Sequence, residues 1–374
     1  MKILILSHEY PPVGGGGGQS CKTLINELVQ RGEQVTLITA QYKDLPNKEE
    51  FSNFRIIRVP SLRKNPYKIG LLGMGTFIIF SFFAGLRVIR KWKPQLIHAQ
   101  FAVPAGFTAF LLNKCTTIPY MLTSHLGDVP GGVPEKTDGW FRWFFPGTIP
   151  IWKHAAKVVC VSNFTAALAY DNYGIVTTTI PNGVDLSTGV KQISTNNPPT
   201  IVFAGRFVAQ KNLPAILEIL ESVRDFNWKC ILIGDGPLFK ETREKIISLG
   251  LKERFSLTGW ISPKKVDEYL SCGDILLMPS LSEGLPVVGL QALTKGLVIL
   301  ANKVGGFTDL VIENRNGVLA NIGDKSTLIE ALKEYLCSPE KLKSGRMASL
   351  EIARNYDIKK IADQYLNIYT QILL

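Results

Sequence analysis

The sequence predicts an α/β protein built from two doubly wound domains. Three observations carry this reading. Short, fully apolar runs recur, as in the strands of a parallel sheet buried on both faces. They alternate with stretches of helical periodicity, the pattern of βαβ units. The series also stops once at a polar stretch and restarts, in a chain of 374 residues that exceeds one comfortable hydrophobic core.

Lys2–Ser7 reads as the first strand, followed by a glycine tract from Gly14 to Gly18 and a helix over Ser20–Arg31. Strands are expected at Gln34–Ala40, Phe54–Pro60, Gln95–Gln100, Tyr120–Ser124 and Lys157–Ser162. Ile69–Leu86 is uncharged and close to transmembrane length. As a spanning helix it would separate the strands on either side of it, so it reads as the crossover between Phe54–Pro60 and Gln95–Gln100. Its Phe77, Phe80, Phe82 and Phe83, flanked by basic residues, predict a face that touches lipid. Trp140–Phe145 reads equally as a second lipid-touching stretch or as a packed helix or lid.

Ser187–Pro199, rich in Ser, Thr, Asn and Pro, suits a linker. Strands resume at Thr200–Ala204, Lys229–Ile233, Arg254–Leu257, Ile275–Met278 and Val298–Ala301, and a last helix over Ile358–Leu374 carries apolar residues at helical spacing. The expected organisation is a Rossmann-like domain over 1–186, a second over 187–357, and a helix 358–374 packing back on the first. Two such sheets would face each other across a cleft outside their carboxyl edges, where ligands of these sheets bind.

The net charge of +11 is unevenly placed: residues 1–190 hold 19 Lys and Arg against 11 Asp and Glu, and no acid occurs between Phe51 and Gly127. Such a block predicts an anionic partner. The adjoining apolar run and the lack of an RNA-module or zinc-finger pattern favour a membrane surface over nucleic acid. The six cysteines form no C-x-x-C pair and read as buried, reduced thiols. The apolar start MKILIL is too short for a signal-peptide core and ends in polar residues, so a cytoplasmic location is expected.

Candidate chemistry gathers at the ends of the later strands. Gly205 and Arg206 end one strand, and Lys211 precedes a helix opened by Asn212 and Pro214, a plausible diphosphate cradle. Glu283 sits at a strand-to-helix turn, Gly284 permits close backbone approach, and Pro286 suits the first helical turn. Neighbouring amides, that of Leu285 included, would face an anion. Gln291 lies two helical turns on. There is no D-x-D triplet and no His/Cys cluster, so no metal is expected. A dehydrogenase reading fails, because His8–Val13 separate the glycines from the first strand and no acid ends the second.

Seven segments together, PPVGGGGGQS, QLIHAQF, TSHLGD, VCVSNF…IPNGVD, FAGRFVAQKNL, LIGDGPL and PSLSEGLPVVGLQAL…VGGFTDLV, resemble family 4 glycosyltransferases over nearly the full length. The resemblance implies the GT-B fold and transfer of a sugar from a UDP- or GDP-sugar, with retention and without metal or other cofactor, to a glycan or lipid-linked acceptor. It implies that Arg206 and Lys211 hold the diphosphate and that Glu283 sits by the donor sugar. Gln291 stands where the family's second acid contacts the ribose, and an amide there still offers a hydrogen bond. His125 would line the cleft, with Asp128 close behind. Gly15, Gly16 and Gly17 would approach phosphate and acceptor, and the amides of Gly305 and Gly306 would grip the donor. Attachment to the inner face of the plasma membrane is expected, and no nucleic-acid partner. Two other readings stand beside it: a catalytically weak glycan- or lipid-binding relative, motivated by Gln291, and a sugar-nucleotide epimerase of the same fold.

Overall fold

Strands apolar along their whole length need a sheet covered on both faces, and the chain builds two such sheets. The computed structural model describes residues 1–65, 69–133, 140–189 and 193–374. These divide into one unit of Met1–Gly183 with Ile358–Leu374 and a second of Val184–Asp357.

The first unit holds β1 (Lys2–Leu6), β2 (Gln34–Ala40), β3 (Lys48–Glu50), β4 (Phe54–Val59), β5 (Leu96–Gln100), β6 (Tyr120–Ser124), β7 (Lys157–Cys160) and β8 (Thr178–Thr179). Their order is β3-β4-β2-β1-β5-β6-β7-β8. Every pairing is parallel except that of the polar edge strand β3. The order reverses between β2-β1 and β5, so the loops after β1 and β5 diverge there and open a crevice.

On one face, α1 (Gly16–Gln30) packs with the chain's last helix, α13 (Ile358–Leu373), through Leu24, Ile25, Leu28, Ile361, Tyr365 and Tyr369. Arg31 donates to the Lys359 carbonyl at 2.6 Å and pairs with Asp363. On the other face lie α2 (Leu71–Trp92), α3 (Phe107–Thr116) and α4 (Trp140–Lys153), around Phe77, Leu112 and Trp152. The helix α5 (Asn163–Tyr173) follows β7, with Ser162 as its N-cap.

The 22 residues of α2 join β4 to β5 within one sheet, as a crossover. Its buried stripe is Gly73, Phe77, Ser81, Gly85, Val88 and Ile89. The lipid-facing expectation is therefore corrected in part. Phe77 is in the core and Phe82 packs partly against it, whereas Leu72, Ile79, Phe80 and Phe83 stand exposed. Of Trp140–Phe145, the side chains of 140–143 lie outside the described residues, Phe144 is exposed and Phe145 packs on the core. The cysteine expectation holds for Cys21, Cys160 and Cys230, but Cys115, Cys272 and Cys337 are exposed.

The second unit is an all-parallel sheet of β9 (Thr200–Ala204), β10 (Lys229–Ile233), β11 (Phe255–Leu257), β12 (Ile275–Met278), β13 (Val298–Asn302) and β14 (Gly317–Ala320). The order is β11-β10-β9-β12-β13-β14, with its reversal between β9 and β12. Helices α6 (Leu213–Glu221), α7 (Phe239–Ser248), α8 (Pro263–Ser271), α9 (Val287–Thr294), α10 (Phe307–Leu310), α11 (Lys325–Cys337) and α12 (Pro339–Ala353) connect or cover the strands.

At the amino edge of this sheet, fully buried Asp274 accepts from the Thr200 amide at 2.8 Å and from the Asn196 side chain at 2.7 Å. Arg346 of α12 pairs with the same carboxylate and donates to the carbonyls of Gly296 (2.7 Å) and Ser194 (2.6 Å). Removing one member of a buried pair strands the other charge. Arg346→Leu should therefore destabilise the second unit by ~3–5 kcal/mol, read as a lower urea midpoint, and adding Asp274→Asn should recover part of the loss.

Candidate functional site

In the second unit, the loops that leave the carboxyl edge at the reversal are tied together. After β9 the chain passes Gly205 and Arg206 and makes a single turn over Ala209–Lys211. Asn212, in a left-handed conformation (φ +52°), then turns it into α6. Three consecutive side chains of this loop reach the loop after β12. Gln210 Nε2 donates to the Ser282 carbonyl at 2.9 Å, Lys211 Nζ meets Glu283 Oε1 at 2.5 Å, and Asn212 donates to the Pro279 carbonyl at 3.2 Å. From β13, buried Asn302 donates to the carbonyls of Pro279 (3.0 Å) and Ser280 (3.1 Å).

Glu283 is buried and Lys211 nearly so, so their attraction is weakly screened. Arg206 is half-buried and has no ion-pair partner among the described residues, which leaves one guanidinium for an anion. The start of α9 has no side-chain cap, because Pro286 is its N-cap instead of lying in the first turn. Gln291 is half-buried in α9, and its side chain has no hydrogen bond among the described residues.

Gly305 and Gly306 press against this loop. Gly305 has φ +53°, and a Cβ there would lie 1.6 Å from the Glu283 carbonyl oxygen. Gly306 donates its amide to the Gly284 carbonyl, and Leu285 is buried beneath it. The structure thus brings together Gly205, Arg206, Lys211, Glu283, Gly284, Leu285, Gly305 and Gly306.

In the first unit, His125 follows β6 and packs on the Phe101 ring, centroids 4.6 Å apart. Its Nε2 lies 2.7 Å from Gln100 Oε1. Phe101 holds φ +76°, a strained value for a bulky residue and a mark of a functional turn. The surrounding protein lowers the His125 pKa to about 4, mainly by burial, with His8 adding to the effect and Glu9 opposing it. The imidazole is neutral at pH 7.

The glycine tract is not an open loop. Gly16–Gly18 form the first turn of α1, and the Glu9 carboxylate accepts from the Gly15 amide at 3.0 Å. A Cβ on Gly17 would lie 2.5 Å from Phe101 and 3.6 Å from His125, so only glycine lets α1 begin against that pair. Asp128 is buried and accepts from the Ala102 amide at 2.5 Å and the Ser124 hydroxyl at 2.8 Å. It ties the loops after β5 and β6 together, and burial raises its pKa. Sequence reasoning missed Gln100, Gln210, Asn212 and Asn302, whose amides position the site. Their polarity beside apolar strand ends was the available signal.

The family descriptions "Glycosyltransferase Family 4" and "Glycosyl transferases group 1" match residues 14–188 and 190–348. The chain belongs to the family 4 glycosyltransferases. A glycosyltransferase of Methanocaldococcus jannaschii, itself uncharacterised, is 27% identical over 374 residues, 100% of this chain and 99% of its own. The alpha-monoglucosyldiacylglycerol synthase of Streptococcus pneumoniae is 21% identical, with 85% of this chain and 75% of that one covered. Among solved structures, Anabaena HepE in complex with UDP-glucose shares the fold with TM-score 0.77 and 18% identity, covering 99% of this chain and 100% of that one. The glycosyltransferase has the GT-B fold.

The two depressed histidines of the first unit give this glycosyltransferase an acid sensitivity. His98, on β5, has its pKa lowered to about 3 by burial, and His125 to about 4. The unfolded chain takes up protons near the ordinary value of ~6.5, while the folded chain holds both rings neutral. The stability they allow is full above that value and is lost as pH falls from there toward 4. Urea midpoints should drop over this window, and His98→Gln should flatten the drop.

Proposed function

We propose that this glycosyltransferase moves a sugar from a UDP- or GDP-sugar, with retention, to a glycan or lipid-linked acceptor at an anionic membrane surface. The observation that carries the reading is the pair Arg206 and Lys211 on the β9 loop, with Lys211 fastened to Glu283 at the carboxyl edge of the second sheet. Two cations and an uncapped helix start suit a diphosphate, whose charge grows as the sugar leaves. Glu283 would accept from donor-sugar hydroxyls, Gln291 would bond the ribose, and the Gly305 amide would hold the phosphates, the Gly306 amide being taken by the Gly284 carbonyl. UDP-glucose is bound by HepE, which supports a uridine donor.

In the reaction the bond from the anomeric carbon to the diphosphate oxygen breaks, and the acceptor oxygen bonds to that carbon on the same face. The acceptor proton passes to the departing phosphate oxygen. Arg206 and Lys211 stabilise the charge on the leaving group, and no metal is required. His125 would offer a neutral imidazole to a sugar hydroxyl.

The membrane reading rests on α2. Its exposed side carries Leu72, Ile79, Phe80 and Phe83 toward the amino end and Arg87, Arg90 and Lys91 toward the carboxyl end. Apolar side chains beside cations fit acyl chains beside lipid phosphates. The named product of the Streptococcus pneumoniae relative is itself a lipid. Peripheral attachment to the cytoplasmic face follows from this reading.

Arg206→Ala and Lys211→Ala should each lower turnover by ~10²-fold, measured as acceptor-dependent release of UDP or GDP. Near-wild-type rates in both would remove the assignment, and turnover without acceptor would favour an epimerase. Phe80→Asp with Phe83→Asp should abolish co-sedimentation with phosphatidylglycerol vesicles and leave the folded protein intact. Undiminished binding would overturn the membrane reading.

A further inference from the structure

The polar chain behind His125 fixes more than the position of its ring. Gln100, at the end of β5, places its side chain between two imidazoles. Its Oε1 is 2.7 Å from His125 Nε2, and its Nε2 is 3.0 Å from His98 Nε2. An amide oxygen only accepts and an amide nitrogen only donates. With the amide in this orientation, His125 carries its proton on Nε2 and His98 offers a bare Nε2. The Thr123 hydroxyl, 2.8 Å from the same nitrogen, donates to it as well. The proton of neutral His98 is then on Nδ1, 2.7 Å from the Tyr369 hydroxyl of α13, which accepts it. The tautomer of each ring is set by the partner of its other nitrogen.

We infer that Gln100 is a positioning residue that locks His125 as the Nε2–H tautomer, so that its Nδ1 accepts a hydrogen bond from a sugar hydroxyl. This rests on the proposed reading of His125 as a residue that contacts a sugar hydroxyl. His125 so held is neither an acid nor a donor to substrate: it selects for a hydroxyl that donates. The chain runs from α13 through Tyr369, His98 and Gln100, and all four groups are buried or half-buried. The packing that seats the last helix thereby fixes a proton at the site.

The test has one arm independent of turnover. The sequence has only four histidines, His8, His98, His125 and His154. In the ligand-free protein labelled with ¹⁵N-histidine at pH 7, two-bond ¹⁵N–¹H spectra report which nitrogen of each ring is protonated. The expected result is a protonated Nε2 and bare Nδ1 for His125, with the reverse for His98. The opposite pattern, mixed tautomers or a protonated His125 would overturn the proposal.

The second arm uses the transferase. Gln100→Leu should lower kcat about tenfold or more with donor KM nearly unchanged, since a selectively placed acceptor is lost and not the nucleotide site. Gln100→Glu keeps an accepting oxygen but adds an anion. The other titratable groups around His125 are Glu9, His8 and His98. The added charge should raise the His125 pKa and move the acidic limb of kcat/KM to higher pH. An unmoved limb with an equal loss of folded protein would show a merely structural glutamine. The predicted tautomers without any activity would leave the lock standing and defeat the functional reading alone.

Discussion

The arrangement of the second unit depends on one clasp. Three successive residues after β9, Gln210, Lys211 and Asn212, each take a partner on the loop after β12. A parallel sheet fixes where its strands end but not how its loops lie. At the reversal between β9 and β12, adjoining loops lead to opposite faces and would otherwise part. The clasp holds them, and it holds a cation against a carboxylate. A bare Glu283 in that buried place would be strongly disfavoured, and a bare Lys211 nearly so. Each holds the other in position, so the loop is ordered before any ligand arrives. Preorganised charge of this kind is what makes electrostatic stabilisation effective.

The fold was legible because its signals are repeated. Each apolar run was placed within a residue or two, since a strand buried on both faces is apolar over most of its length. Two of the strands that escaped notice lack that signal: β3 is a charged edge strand and β8 is two threonines, whereas β14 is a four-residue apolar run opened by a glycine. α1 begins at Gly16, ahead of the expected Ser20, because glycine has poor helix propensity and only the close packing against Phe101 explains it there. The split of the α2 phenylalanines was also illegible. Periodicity shows that one stripe is buried but not which, and Phe77 and Phe80 are interchangeable by composition.

The site was legible in its charges and not in its amides. Arg206, Lys211 and Glu283 stood out because cations and an acid at strand ends are few. Gln100, Gln210, Asn212 and Asn302 act through partners far away in the sequence, which their polarity beside apolar strand ends does not identify. Asp128 shows the opposite error. Its proximity to His125 in the chain promised a ligand contact, yet it spends its oxygens on the Ala102 amide and the Ser124 hydroxyl. Sequence distance reports which loop a residue is on, not which way it faces.

The two units also divide the electrostatic work differently. The second concentrates formal charge at its carboxyl edge, where the proposed diphosphate would sit. In the first, His125 and His98 are held unprotonated and Asp128 has its pKa raised by burial. A neutral imidazole with a fixed tautomer still discriminates by hydrogen bonding, because a hydroxyl that cannot donate to it leaves a buried acceptor unpaired. On the proposed reading, selectivity for a hydroxyl and stabilisation of the leaving group rest on separate residues on separate sheets.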